Sequence, residues 1–251
     1  MYDPFILARA VERQVVSGNK RKYYRFRPSK YYGGIFTADA VGCNLRCIFC
    51  WSYRYVSDLT QGAFYSSHEV AKRLAEGAIK HGFSRVRISG AEPTIGREHL
   101  ISVLEEVPPK LGFILETNGL LIDEDYAKEL SRFRNLHVRV SLKGTNPSEF
   151  SKLTGARPEF FQYQIRGVRN LVEAGVSVHV SAVVSFTTKD SLLKLLELLA
   201  GIDESLAESF EPEVIVLYEG VRKRLYSNNI FPKIALTPEG KLITRDGELM
   251  K

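Results

Sequence analysis

The chain has 251 residues, a length at which α/β barrels commonly form one unit, and its 44% hydrophobic and 25% charged content is that of an ordinary water-soluble globular protein. No run of about 18 apolar residues exists to form a membrane-crossing helix, and the opening Met1-Tyr2-Asp3-Pro4 does not begin a charged-then-apolar export signal, so a cytoplasmic, reducing setting is expected. The net charge of +6 permits an anionic partner without requiring one.

Residues 21–32 interleave five basic with five aromatic residues in Arg21-Lys22-Tyr23-Tyr24-Arg25-Phe26-Arg27-Pro28-Ser29-Lys30-Tyr31-Tyr32. Basic groups neutralise phosphates and aromatic rings stack on unpaired bases, so this stretch reads either as a nucleic-acid contact or as an edge strand packed over the body of the fold. Ile35–Val41 is the first expected strand. Ser66-Ser67-His68-Glu69 has the pattern of a capping box, and Val70, Leu74 and Ala78 follow at helical spacing, predicting a helix over about 66–81. Arg85–Ser89 reads as a strand, and Leu100, Ile101, Leu104 and Val107 as a helical stripe ended by Pro108-Pro109. Leu111–Glu116 is a strand, Asp123 caps a helix through Leu130, and Leu136–Leu142 is a strand. Ile165, Val168, Leu171 and Val172 mark a helix stopped by Gly175. Val176–Val184 is a strand, Leu192, Leu195, Leu196 and Leu199 line a helix, and Val214–Leu217 is the sixth expected strand. In the tail, Thr237-Pro238-Glu239-Gly240-Lys241 and Arg245-Asp246-Gly247 look like turns.

Alternating strands and helices argue for a parallel sheet with crossover helices. In an open doubly wound sheet the inner strands are apolar on both faces, whereas here Leu136, Val138, Val140 and Leu142 alternate with His137, Arg139, Ser141 and Lys143. Val176, Val178, Val180, Ala182 and Val184 likewise alternate with Ser177, His179, Ser181 and Val183. The polar face must line something wet or liganded, which an α/β partial barrel of six strands provides.

Cys43, Cys47 and Cys50 are the chain's only cysteines, spaced Cys-x3-Cys-x2-Cys. Thiolates suit zinc or iron-sulfur clusters, and a closed zinc site or an ordinary four-iron cluster needs four protein ligands. Three thiolates leave one iron of a cluster open to a small molecule. A zinc site would instead be completed by one of His68, His81, His99, His137 or His179. With Phe49 just before the last cysteine, the segment resembles the signature of the radical S-adenosylmethionine (SAM) superfamily. That resemblance covers roughly Gly34 to Tyr218 and implies a partial (βα)6 TIM-like barrel over residues 35–218, between an N-terminal extension (1–34) and a C-terminal tail (219–251).

The resemblance further implies a single 4Fe-4S cluster and SAM as cofactors, with SAM chelating the open iron and cleaved reductively to a 5′-deoxyadenosyl radical. In parallel barrels the site lies at the carboxyl ends of the strands. There, Gly90-Ala91-Glu92-Pro93 is similar to the family's Gly-Gly-Glu-Pro motif, with Ala91 in place of the second glycine, and Thr117-Asn118-Gly119 to its Thr-Asn-Gly. The resemblance assigns Phe49, Gly90, Ala91, Glu92 and Asn118 to cofactor binding. Ser141 and Lys143, side by side on the fourth strand, supply a hydroxyl and a cation for the SAM ribose and carboxylate, and Ser181 is a further candidate. Arg139 and His179, deeper on the same face, pair with Glu116 or meet substrate.

No cysteines remain for a second cluster and no Gly-x-Gly-x-x-Gly suggests flavin, so an external one-electron donor of the ferredoxin or flavodoxin type is expected. The substrate is open among nucleic acid, protein and small molecule. Cys50-Trp51 is similar to the Cys-Trp of the radical enzyme of wybutosine synthesis in transfer RNA. The pyruvate formate-lyase activating enzymes are single-cluster chains of similar size with a similar strand-four lysine, although they follow the last cysteine with His-Asn rather than Trp51-Ser52. A non-catalytic zinc module is the alternative of another class.

Overall fold

The computed structural model describes residues 1–244. Helix α1 (Pro4–Val15) passes through β1 (Val16–Ser17) into the long β2 (Lys20–Ser29), which turns back antiparallel onto β3 (Ile35–Ala40). A short α2 (Tyr53–Ser57) and β4 (Ala63–Ser66) follow the cysteine loop, and then strand and helix alternate: α3 (Ser67–His81), β5 (Arg85–Ser89), α4 (Arg97–Glu106), β6 (Gly112–Thr117), α5 (Glu124–Leu130) and β7 (Leu136–Leu142). Next come α6 (Pro147–Thr154), α7 (Phe161–Glu173), β8 (Ser177–Val183), α8 (Lys189–Ala200), α9 (Glu204–Glu208), β9 (Glu211–Glu213) and α10 (Glu219–Ser227). The hairpin β10 (Ile234–Leu236) and β11 (Leu242–Thr244) ends the described chain. The strands β3, β5, β6, β7, β8 and β9 are parallel and adjacent in that order, the arrangement of a partial (βα)6 barrel.

Local chemistry places the helices where it was legible. The Ser66 hydroxyl accepts the Glu69 amide hydrogen while the Glu69 carboxylate accepts the Ser66 amide hydrogen, the reciprocal box read from the sequence. Asp123 caps α5 through the Tyr126 amide. Alternation along the strands also holds, since Leu136, Val138, Val140 and Leu142 are buried against helix residues such as Val70, Leu74, Leu100, Val168 and Leu171 in one apolar cluster. Each such side chain contributes about 1.5–3 kcal/mol by leaving water.

Two expectations need correction, and two helices are added to those expected. The sixth strand is Glu211–Glu213, not Val214–Leu217, because Ile215 turns instead into a second apolar cluster with Leu153, Val221 and Leu225 from outside the sheet. Helix α1 was not foreseen, although Asp3 accepts the Phe5 and Ile6 amides with Pro4 at the first position, an ordinary start signal. Helix α6, capped by Asn146, was also missed. Finally, the basic aromatic stretch is neither a free surface nor wholly an edge, because β4 pairs with Lys20–Tyr23 on the side away from β3. Thr237–Lys241 is a turn, closed by the Thr237 amide on the Lys241 carbonyl, whereas Arg245-Asp246-Gly247 lies outside the described residues.

One contact fixes how closely α7 approaches the sheet. A Cβ on Gly167 would sit 2.2 Å from the carbonyl oxygen of Gly119, a backbone atom in the turn that follows β6. Gly167→Ala should therefore push α7 outward and cost about 1–3 kcal/mol, read as a lower urea midpoint with unchanged slope.

Candidate active site and metal centre

The loop that leaves β3 carries all three cysteines and is pinned along its length. The Gly42 amide bonds the Tyr55 carbonyl at 2.9 Å, the Arg46 guanidinium bonds the Cys43 carbonyl at 2.6 Å, and the Ile48 amide bonds the Leu153 carbonyl at 2.9 Å. Tyr2 from the N-terminal segment accepts the Arg46 amide hydrogen at 2.8 Å. The Cys50 amide closes a turn on the Cys47 carbonyl at 3.0 Å. Cys43 and Cys47 are buried, Cys50 is half-buried, and all three are free thiols. Phe49 packs on both apolar clusters, its ring 6.4 Å from that of Phe186.

Burial pushes the Cys43 thiol up to about 12, with the neighbouring Glu92 and Cys50 adding to the effect. Cys47 moves the same way through burial, opposed by the charge of Lys143. Thiols with so little compensating positive charge suit a bound cation, which would hold them as thiolates. Cluster ligands bind separate irons and need not meet at one point, so three free thiols on one loop fit an iron-sulfur cluster. They do not fit zinc. The histidines lie elsewhere: His68 bonds Glu106, His81 stacks on Phe36 and Phe83, His99 bonds Tyr23 and the Asn19 carbonyl, and His137 bonds His179. Among the described residues no three His, Cys, Asp or Glu side chains gather as a single-ion site.

Beside this loop stand the other strand ends. Gly90 has φ +101°, and a Cβ there would lie 2.8 Å from the Ala40 nitrogen, so only glycine lets β5 close on β3. Ala91, by contrast, is not at positive φ, and the alanine in place of glycine carries no backbone strain. Among the described residues its N–H and C=O have no protein partner. The Glu92 carboxylate, almost wholly buried, accepts from the Thr94 amide and hydroxyl, the Thr117 hydroxyl and the Asn118 amide at 2.6–3.0 Å, which makes it a structural hub rather than a free ligand. Asn118 donates to Asn44 Oδ1 at 2.7 Å and accepts from the Leu120 amide at 3.1 Å, so it orients the cysteine loop. Lys143 donates to Ser141 Oγ at 2.6 Å, and Ser141 donates to Glu213 at 2.8 Å. Ser181, opposite Ser141 in the register, is fully buried with an unpartnered hydroxyl.

Below these residues the lumen is lined by paired charges. Asp39 Oδ2 takes both Arg25 at 2.7 Å and Arg27 at 2.8 Å. Glu116 accepts from Arg87 and Ser89, each at 2.9 Å, and from Tyr32 at 3.2 Å. Burial alone would raise the Glu116 carboxyl, but Arg87 and Arg139 more than offset it and the net shift is downward. Arg139 pairs with Glu211 at 2.8 Å and Glu213 at 3.9 Å, and Glu211 also accepts from His179 at 3.3 Å. Hydrogen bonds from His179 and Arg139 hold Glu211 at about 2. The expected pairing of Arg139 or His179 with Glu116 is thus replaced, since Arg87 is the direct partner of Glu116.

Several residues that brace the site have another place in the fold than the sequence suggests, or no signal in it. Arg21 is buried, with its guanidinium 2.7 Å from the Glu92 carbonyl, and in sequence it was one of a run of basic residues. Lys22 likewise turns onto the Leu59 carbonyl at 2.7 Å. Asn44 and Glu213 carried no signal beyond their neighbours.

A family model described as the radical SAM superfamily matches residues 39–199. The GTP 3′,8-cyclase of Petrotoga mobilis is 33% identical over 155 residues, 61% of this chain and 47% of that protein. The probable GTP 3′,8-cyclase of Pyrobaculum aerophilum is 26% identical over 228 residues, 78% of this chain and 71% of that protein. The chain spans about half or less of the length of the first curated relatives it matches. Streptococcus suis SuiB, solved with its precursor peptide SuiA, shares the fold with a TM-score of 0.56 at 15% identity, over 83% of this chain and 58% of that one.

The lumenal pairing has a pH signature. Because the folded-state pKa of Glu116 is depressed, its contribution is complete above the unfolded value of about 4.3 and is lost as pH falls through the folded value. Glu116→Gln strands the nearly buried Arg87 and should cost about 3 kcal/mol at pH 7, with the gap to wild type narrowing in thermal melts below about pH 4.

Proposed function

The chain belongs to the radical SAM superfamily, enzymes whose cofactors are a four-iron four-sulfur cluster and SAM, and we propose that Cys43, Cys47 and Cys50 each hold one iron and leave the fourth for SAM. When bound, cluster and SAM together supply an electron and a 5′-deoxyadenosyl radical that takes a hydrogen atom from substrate. The chain's own residues bind and orient. Lys143 carries this reading: its ammonium stands at a strand end on Ser141, its charge reaches Cys47, and among the described residues no carboxylate pairs with it. It is thus available for the SAM carboxylate. The unpartnered backbone groups of Ala91 serve the SAM amino group, and the hydroxyls of Ser141 and Ser181 serve its ribose. Gly90, Glu92, Asn118 and Phe49 hold the loops that present these groups.

The substrate is a polar molecule entering at the carboxyl ends of the strands, where the lumen offers paired donors and acceptors. GTP, the compound in the relatives' names, is the first ligand to test. The commitment of Arg21, Lys22, Arg25 and Arg27 to partners inside the fold disfavours RNA binding by that stretch. The electron comes from an external one-electron donor in a reducing, cytoplasmic setting. No helix among the described residues is long and apolar enough to cross a membrane.

Anaerobic reconstitution should give one four-iron cluster per chain by iron and sulfide analysis, and reductant with SAM should release 5′-deoxyadenosine. Alanine at Cys43, Cys47 or Cys50 should remove both, and stoichiometric zinc without iron-dependent SAM cleavage would reject the assignment. Lys143→Ala should leave iron content unchanged and weaken SAM binding ten-fold to over a hundred-fold, about 1.5–3 kcal/mol in a titration. Undiminished SAM affinity would turn the lysine toward substrate or solvent.

A further inference from the structure

The matched family region ends at residue 199, yet the cysteine loop has a partner well beyond it. Arg224, on α10, donates through Nε to the Ile48 carbonyl at 3.0 Å and through Nη2 to the Cys50 carbonyl, so one guanidinium ties together the carbonyls of the two residues that flank Phe49. Its plane lies over the Tyr53 ring, with the central carbon 4.4 Å from the ring centroid. Neighbouring Val221 and Leu225 are buried in the cluster against which Ile48 and Phe49 pack, so α10 is held on the loop by apolar contact as well. The carbonyl contact sets the guanidinium beside Cys50, the least buried of the three cysteines.

We propose that Arg224 is a positioning residue for the metal centre: it fixes the last turn of the cysteine loop, and its charge beside Cys50 makes the cluster easier to reduce. The proposal rests on the reading of the three cysteines as cluster ligands. A guanidinium stays charged and presents its donors in a fixed fork, so it can hold two carbonyls at once where an ammonium cannot hold both in the same geometry. Reduction adds one negative charge to the centre, and a cation a few ångströms away stabilises that state, less so where solvent screens it. Removing the charge makes reduction harder, and removing the fork loosens the ligand turn. The two effects separate by variant.

The experiment compares reconstituted wild type with Arg224→Met, Arg224→Lys, Arg224→Gln and the exposed neighbour Lys223→Ala. The readouts are the midpoint potential from a redox titration followed by electron paramagnetic resonance, the rate of iron loss to a chelator, and the melting temperature of the metal-free chains. At a fixed poise the ratio of reduced to oxidised cluster should fall about ten-fold in Arg224→Met and Arg224→Gln, which is about 59 mV for one electron. Arg224→Lys should keep the wild-type potential but lose iron several-fold faster, and Lys223→Ala should change nothing. If Arg224→Met does not fold, Arg224→Gln and Arg224→Lys carry the same comparison. Potentials and iron-loss rates equal to wild type, with or without a lower melting temperature, would make the arginine only a fastener for the tail and overturn the proposal. A wild type that takes up no cluster would reject the cysteine assignment itself, a failure visible before any variant is compared.

Discussion

One buried carboxylate, that of Glu92, sets the relative position of the strand ends. A carboxyl group taken out of water is costly unless it is fully hydrogen-bonded, and four donors from Thr94, Thr117 and Asn118 converge on this one. Its own amide bonds the Gly42 carbonyl, and its carbonyl receives the buried Arg21 from β2. The loops after β3, β5 and β6 therefore meet at a single residue, and Asn118 passes that constraint to Asn44 between the first two cysteines. Little of this geometry could be altered singly, because each partner satisfies more than one group.

The lumen extends the same logic to charge. Alternation sends every second strand residue inward, and here the inward set contains arginines and carboxylates where a closed barrel would have branched aliphatics. The charges meet opposite ones across the sheet: Arg87 on Glu116 and Arg25 and Arg27 on Asp39 between adjacent strands, and Arg139 of β7 on Glu211 of β9, past β8. A lining of this kind keeps its shape without an apolar core and stays wettable, so a polar guest displaces water rather than opening a cavity.

How much of this could be read from the chain depends on the range of the interaction. Helix α3 was plain because Ser66 and Glu69 are three residues apart, and the polar face of β7 because alternation is local. The cysteine loop and the Gly90–Glu92 turn were legible as short motifs. Strand β9 was hidden because Glu-Pro-Glu has no strand propensity, and only Arg139 and Ser141, some seventy residues earlier, give those glutamates a reason to lie in the sheet. The place of Arg21 is hidden for a related cause. In sequence it belongs to a basic run, and only the folded chain brings the Glu92 carbonyl to it.

Strand β9 also bears on how the molecule behaves among its own copies. A six-stranded parallel sheet that stops short of closure leaves an edge, here β9 among the described residues, and an edge strand with free amides is a template on which another chain can pair. This edge is three residues long, Pro212 in its middle has no amide hydrogen to offer, and Glu211 and Glu213 would bring repelling charge to a second copy. The composition that made the strand hard to recognise therefore also makes it a poor seed for aggregation, and the barrel keeps an unclosed side without the solubility cost that an apolar edge would impose.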